Sequence, residues 1–382
     1  MGLDKILEAL YMSFGMFWEV LWPLVLGFTL SGIVQAVVSH KTLAKTLGGT
    51  SPKNITLAAL FGTASSSCSY AAIALARSIF QKGASFTSAM VFEIASTNLV
   101  IELGLILLFV MGWQFALAEW FGGIIMVIFI ALLFRFTLGK KLIALAGKQA
   151  EKGLQGKMEG HATMDMSING KESFRKKLLS RSGFTAVSHF FVMDWVSVWV
   201  DILLGFLIAG VLEVFVPHSV WQAFFFADNP TVSFIVGPLI GPLIAIISFV
   251  CSVGNVPLAA VLWNGGISFG GVVSFIFADL IILPILNIYR KYYGWRVVLY
   301  ILGTFYVTMA AAGYLIEIFF SQLHLIPSSR NVALLEQGIS WNYTTFLNIG
   351  FLLLAAVLVW RFLKTGGPEM LKMMDSDMDH HK

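Results

Sequence analysis

Apolar runs long enough to cross a hydrocarbon layer recur along this chain. A bilayer core of about 30 Å takes roughly 20 helical residues to cross, and runs of that length predict seven full spans, near 14–39, 85–110, 114–136, 188–216, 267–288, 297–320 and 344–363. Two further apolar stretches, 54–82 and 229–264, are interrupted by small and polar residues, "TASSSCS" in the first and "SFVCSVGN" in the second. In the first, 55–65 and 68–80 would rise only about 16 and 20 Å as helices, around half a bilayer each. In the second, the arm 255–263 is shorter still. Pro238 and Pro242 argue for a bend in its partner arm, 231–250.

The two halves of the chain resemble each other. Cys68 aligns with Cys251 at an offset of 183 that holds without a gap for some 34 residues, with matches including Ser69 with Ser252, Leu75 with Leu258, Gly83 with Gly266, Ser85 with Ser268 and Phe92 with Phe275. Upstream, Gly27-Phe28 matches Gly205-Phe206, Gly32 matches Gly210, and His40 matches His218. An internal duplication of this kind is common in transporters.

Composition fixes the class. At 58% hydrophobic and 12% charged residues, with mean hydropathy +0.83, the chain falls far from the roughly 25% charged content of soluble domains. It reads as a polytopic protein whose partners are the lipid bilayer and a small-molecule or ion substrate. The net charge of +4 comes from basic clusters between apolar runs, which speaks to orientation and against nucleic acid. The N-terminus lacks a basic n-region and a small-residue cleavage site, so no removable signal peptide is expected.

Charge also orders the topology. The segment 137–184 carries ten Lys/Arg against four Asp/Glu and is placed in the cytoplasm. If 54–82 and 229–264 each dip in and return on one side, then Lys41, Lys45, Lys53, Arg77, Lys82, Arg290, Lys291, Arg296, Arg361 and Lys364 all become cytoplasmic. If each crosses once, many of them fall outside. The fold class expected is therefore an all-α polytopic membrane protein of two inverted-topology repeats, each with a re-entrant helical hairpin. Its parts are 1–136 with hairpin 54–82, a basic cytoplasmic loop 137–184, 185–320 with hairpin 229–264, and a last helix and cytoplasmic tail in 321–382. The N-terminus is then periplasmic, and homo-oligomerisation stays open.

The hairpin tips are the candidate binding site. Ser65, Ser66, Ser67 and Ser69 offer hydroxyls where the second arm begins, and helix N-terminal amides suit an anion. At the second tip, Ser252 repeats the hydroxyl, Gly254 permits close backbone approach, Asn255 can cap the arm, and Pro257 fits a first helical turn. Cys68 and Cys251 are the only thiols and fall on equivalent tips. Each reads either as a small buried hydrophobe or as a thiolate ligand for a soft, thiol-seeking species such as copper(I) or trivalent arsenic. Behind the hairpins, Glu93, Asn98 and Asp279 are candidates for proton coupling or cation coordination, because an intramembrane carboxyl normally faces a cavity or a partner. Glu19, Glu102, Asp194, Asp201 and Glu213 rank below them. Met and His among acids in 157–171 and in the tail could collect soft cations, or be merely solvated. No cofactor is expected. Neither a Walker motif nor His-Glu-x-x-His occurs, and no nucleophile signature frames a Ser, so the chain does not read as an enzyme.

The stretches "SCSYAAIALARSIFQKGASFTSAMVFEIASTN" and "CSVGNVPLAAVLWNGGISFGGVVSFIFADLIILPILNIYRKYYG" resemble the predicted-permease family of YraQ and ArsP type. The resemblance implies a bacterial inner-membrane permease, and ArsP-type members export trivalent organoarsenicals. Where that family carries a Pro and paired cysteines near the first tip, this chain has Ser66-Ser67-Cys68-Ser69. The expected activity is export of a small soft metal, metalloid or organoarsenical by alternating access around a midplane site. A carrier of a small oxyanion or sulfur-containing anion, a re-entrant-loop channel, and a scaffold acting through 137–184 are the alternatives.

Overall fold

The computed structural model describes residues 2–37, 46–65, 69–150, 180–217, 220, 229–248, 252–330 and 343–371. Ser66, Ser67, Cys68 and Cys251 lie outside the described residues, as do His40, His218, most of the basic loop and the end of the tail.

Every regular element among the described residues is helical. In chain order these are α1 (Gly2–Val37), α2 (Pro52–Ser65), α3 (Ser69–Gln81), α4 (Phe86–Asn98), α5 (Ile101–Val110), α6 (Trp113–Thr137), α7 (Lys140–Ala150) and α8 (Arg181–Phe215). There follow α9 (Pro230–Ser248), α10 (Ser252–Asn264), α11 (Phe269–Phe277), a 3-10 turn (Ala278–Ile281), α12 (Leu283–Tyr293), α13 (Trp295–Gln322) and α14 (Tyr343–Lys364). Phe86–Val110, Trp113–Thr137, Thr231–Ser248, Trp295–Gln322 and Thr344–Lys364 are long and apolar enough to cross a membrane, and the bent pair Phe269–Ile281 and Leu283–Tyr293 makes a sixth. The chain is thus a multi-pass membrane protein.

Two of the expected spans are interrupted, and at equivalent places. α4 stops at Asn98, Leu99 and Val100 leave the helical region, and α5 begins at Ile101. In the second half Ile282 is extended and the two segments meet at 40°. Pro284, in the first turn of α12, has no amide proton to continue the preceding helix. Both breaks fall beside polar residues, Asn98 in one and Asp279 in the other.

The turns leading into α4 and α11 are built alike. Gly83 (φ 111°) and Gly266 (φ 105°) hold the left-handed conformation that closes the preceding helix. Gly83 and Ala84 donate to the carbonyls of Phe80 and Ile79, and Gly266 and Ile267 donate to those of Trp263 and Leu262. Ser85 and Ser268 then cap the next helix, accepting from the amides of Ser88 and Gly271, each at 3.1 Å.

The expected bend at Pro238 and Pro242 does not break α9, which runs unbroken over 19 residues. Each proline deprives the carbonyl four residues before it, that of Phe234 or of Pro238, of its amide donor, and α13 places a hydroxyl on the next carbonyl along in each case. Tyr306 donates to the Leu239 carbonyl at 2.9 Å and Tyr314 to that of Ile235, each three residues before a proline. Glycine precedes both prolines, at Gly237 and Gly241, where a side chain would resist the helical conformation.

Packing relies on small residues, as it must where burial of apolar surface drives no association. Gly62 of α2 lies against the Phe92 carbonyl and Ala95 of α4, and Gly241 of α9 against Gly271 and Ser274 of α11. Gly270 and Gly313 bring the backbones of α11 and α13 together. α1 lies along α8, and α14 packs on both.

Candidate functional site

The start of α3 and the start of α10 meet in the protein interior. Ser69 is wholly buried and Ser252 nearly so, and their hydroxyl oxygens stand 3.4 Å apart. Ser69 also donates to Asp279 Oδ2 at 2.5 Å. Asp279 has no solvent exposure, and Ser252 and Asn98 stand beside the same carboxylate. Two residues equivalent in the two halves thus converge on one acid.

Each of these positions has a local cause. Ser69 and Ser252 occupy the first turns of their helices, where a short hydroxyl is compatible with the helical backbone. Asp279 lies in the 3-10 turn between α11 and α12, whose backbone is already turned out of the α-helical ladder. Asn98 closes α4, donates its amide to Thr97 Oγ1 at 3.0 Å, and leaves its Oδ1 buried without a partner among the described residues.

The remaining predicted residues divide. Ser65 and Ser248 end the arms before each tip and bond back to the carbonyls of Gly62 and Ala245, both at 2.9 Å. Ser248 was not singled out by the sequence. Gly254 is buried in α10. Asn255 does not cap that helix as expected. It lies a turn inside, wholly buried, with neither side-chain atom hydrogen-bonded among the described residues. Pro257 is correspondingly beyond the first turn. Cys68 and Cys251, the residues immediately before Ser69 and Ser252 in sequence, lie outside the described residues.

Behind this centre are two glutamates. Glu93 of α4 is fully buried and accepts a hydrogen bond from the Tyr289 hydroxyl of α12. Glu119 of α6 is 1% exposed, and neither carboxyl oxygen has a partner among the described residues. Both interact electrostatically with Asp279. No three His, Cys, Asp or Glu side chains come together to hold a metal ion among the described residues. Sequence reasoning missed Glu119, although the cost of an acid inside an apolar span was signal enough. Nothing in the sequence pointed to Tyr289.

The lower-ranked acids contribute less. Glu102 and Asp194 are buried, on α5 and α8, while the side chains of Glu19, Asp201 and Glu213 lie outside the description. Glu317, also missed, accepts from Ser268 Oγ at 2.8 Å and the Gly270 amide at 3.2 Å. It secures the N-terminal turn of α11.

A second feature lies between α2 and α6, a groove of about 1250 Å³ lined by Thr56, Ala59 and Thr63 on one side and Trp120, Ile124 and Ile128 on the other. The corresponding pair in the second half, α9 and α13, is packed together and joined by the two tyrosine hydrogen bonds.

Comparison with known proteins accords with this architecture. "Putative permease Rv2963" of Mycobacterium tuberculosis is 58% identical over 343 residues, which is 90% of this chain and 84% of that protein. No solved structure matches. The model of the ArsP_1 family, described as a predicted permease, matches residues 5–318. With that match and that relative, the chain belongs to the ArsP_1 family of predicted permeases.

Proposed function

We propose that this protein is a secondary carrier that moves a small solute by alternating access around the Ser69, Ser252 and Asp279 centre. The observation that carries the reading is the convergence of two repeat-equivalent serines on one buried acid. A polar centre of that kind inside a membrane protein normally faces a pathway or a partner.

Contacts between elements support inverted repeats with re-entrant hairpins. The segment leading into α2 is bonded to the turn after α3, since Ser85 donates from its amide to Leu47 and from its hydroxyl to Gly49. Both ends of the first hairpin therefore lie together, with its middle at the centre. In the second half, Gly237 near the start of α9 lies against Ser268, just beyond the end of α10. Phe115, near the start of α6, meets Trp263 edge to face at 5.3 Å, whereas Phe134, near its other end, stacks at 6.0 Å on Phe86, just beyond the first hairpin. The two hairpins accordingly come from opposite ends of α6.

Orientation draws support from the basic residues. Arg77 donates to the Ala150 carbonyl at 2.8 Å, and Gln149 to that of Lys291 at 3.2 Å. These bonds gather Arg77, the lysines of α7, and Arg290 and Lys291 at one end, the cytoplasmic end by the positive-inside rule. The difference between the parted α2–α6 pair and the packed α9–α13 pair supports rocking of the halves, one open while the other is closed.

For substrate we propose a small soft metal, metalloid or organoarsenical, moved outward across the bacterial inner membrane. Its support is that the residue after each of the two cysteines meets its counterpart at the centre. A carrier of a small oxyanion is the second reading, favoured by two helix N-termini that converge there. Against it, Asp279 already supplies an anionic group at those ends. Uptake into everted vesicles of methylarsenite, copper(I), thiosulfate and sulfate tests both, comparing wild type with Cys68→Ser, Cys251→Ser. Accumulation of a soft species that vanishes in the variant is expected; thiosulfate or sulfate uptake unchanged by it would favour the anion. Acceleration of uptake by substrate on the far side separates a carrier from a channel.

A further inference from the structure

We propose that Ser69, Ser252, Asn98 and Asp279 form the binding site of a small monovalent cation, sodium by its chemistry, that couples to transport. The proposal deepens the carrier reading and rests on it. The donor set is all oxygen. Ser69 Oγ lies 2.5 Å from Asp279 Oδ2 and 3.4 Å from Ser252 Oγ, with Asn98 beside the same carboxylate. A hydroxyl that donates its proton keeps lone pairs for a cation.

Two further atoms point to a ligand. Asn98 Oδ1 and Asp279 Oδ1 are buried and accept no hydrogen bond among the described residues. Both residues have no solvent exposure at all. Buried acceptors are normally satisfied by a donor or a positive charge, and the amide nitrogen of Asn98 is already turned to Thr97 at 3.0 Å. Ser69, Ser252, Asn98 and the Leu280 amide all lie within hydrogen-bonding reach of the Asp279 carboxylate, yet its Oδ1 and that of Asn98 stay open, and open acceptors gathered around one acid make a cation site.

Spacing and charge narrow the ion. Oxygens bound to a calcium-sized ion at about 2.4 Å along perpendicular directions stand about 3.4 Å apart. Sodium is of nearly that size, and the two serine oxygens are 3.4 Å apart. One carboxylate balances one positive charge, whereas divalent sites gather several carboxylates or keep waters. Glu93 does not join the set, because it is engaged by Tyr289. The positive ends of α3 and α10 act against any cation, and twice as strongly against a divalent one, so the charge of Asp279 has to outweigh them. Without sulfur or imidazole among these four residues, the set suits a hard ion, distinct from the soft substrate proposed for the cysteines.

Coupling follows from where the donors come from. Ser69 and Asn98 belong to the first half, Ser252 and Asp279 to the second. An ion held by all four favours the conformation in which the halves meet at the centre, and a ligand shifts an equilibrium by its preference for one state.

The test is binding to the purified full chain in lipid nanodiscs, with radioactive sodium and by thermal unfolding in sodium, potassium or choline chloride at equal ionic strength. Saturable sodium binding and sodium-specific stabilisation are expected, with affinity at least about tenfold weaker in Asp279→Asn and in the Ser69→Ala, Ser252→Ala double variant. The serine variant guards against loss of folding in the aspartate one. Absence of sodium-specific binding in wild type, or binding untouched by both variants, overturns the proposal. So does stabilisation that follows pH, ignores sodium and is lost in Asp279→Asn, which would give the site to a proton. Any of these leaves the carrier reading standing, because vesicle exchange tests that separately.

Discussion

Ser69 and Ser252 hold equivalent places in the two halves of the chain, and their hydroxyl oxygens are 3.4 Å apart in the protein interior. The two aligned positions therefore meet at the centre, but the acid they meet around has no acidic counterpart. Asp279 corresponds to Ser96, whose hydroxyl simply bonds back to the Glu93 carbonyl at 2.9 Å. A second aspartate there would bury another carboxyl beside Asp279, Glu93 and Glu119, all of them already out of solvent. Burying an acid is costly, so the centre is symmetric in hydroxyls and built around a single acid.

Replacing Asp279 by Asn keeps the shape and removes the charge. A hydrogen bond to a charged group contributes about 1.5–3 kcal/mol, so transport is expected to fall by roughly ten- to a hundredfold. Size-exclusion behaviour should stay that of the wild type. Initial rates of methylarsenite uptake in everted vesicles provide the measurement, and an unchanged rate would remove Asp279 from the mechanism.

Tyr289→Phe takes from Glu93 the one hydrogen bond that the described structure gives its carboxyl group. Leaving a buried acceptor unsatisfied costs about 1–3 kcal/mol. A lower thermal midpoint is expected, and adding Glu93→Gln should recover part of it, since the two residues act as a pair. If the two losses simply add, the hydrogen bond is not what stabilises this region.

Much of the architecture was legible in the residues because membrane constraints write themselves into sequence. Gly83 with Gly266 and Ser85 with Ser268 match between the two halves of the sequence, and in the structure they form the same turns and caps. Asp279 could be singled out because an intramembrane acid is expensive. The breaks after Asn98 and at Ile282 were missed because run length alone suggests one helix, although Asn98 beside the first and Pro284 just after the second were signals. The continuity of α9 was not legible. Its prolines argued for a bend, and the tyrosines that satisfy its carbonyls lie 67 and 79 residues away. Asn255 was misplaced for a similar reason: its residue type suits a cap, but the helix begins at Ser252.

Those two tyrosines carry a prediction of their own. Tyr306→Phe and Tyr314→Phe each remove a donor to an α9 carbonyl beside a proline, at a cost of about 1 kcal/mol per bond. Hydrogen exchange of the α9 amides should speed up in each variant, most near the carbonyl released, with α6 unaffected. Protection unchanged in α9 would mean that the α13 hydroxyls do not keep the helix continuous across its prolines.

The groove between α2 and α6 distinguishes an open solvent path from a seam filled by lipid. Thr63 lines it with Trp120 and Ile124, and is partly exposed rather than buried. In a Cys68→Ser, Cys251→Ser background, Thr63→Cys should react with a membrane-impermeant maleimide in everted vesicles, where the cytoplasmic end faces the reagent, and far more slowly in right-side-out cells. Ile246→Cys, in α9 of the packed pair, should show the opposite preference if the halves exchange roles during transport. Locking the α2–α6 side open by modification should then stop uptake, because a carrier must close one side before it opens the other. Reaction of Thr63→Cys only with lipid-soluble maleimides would make the groove a lipid-facing surface, and alternating access would then have to run through another part of the interface.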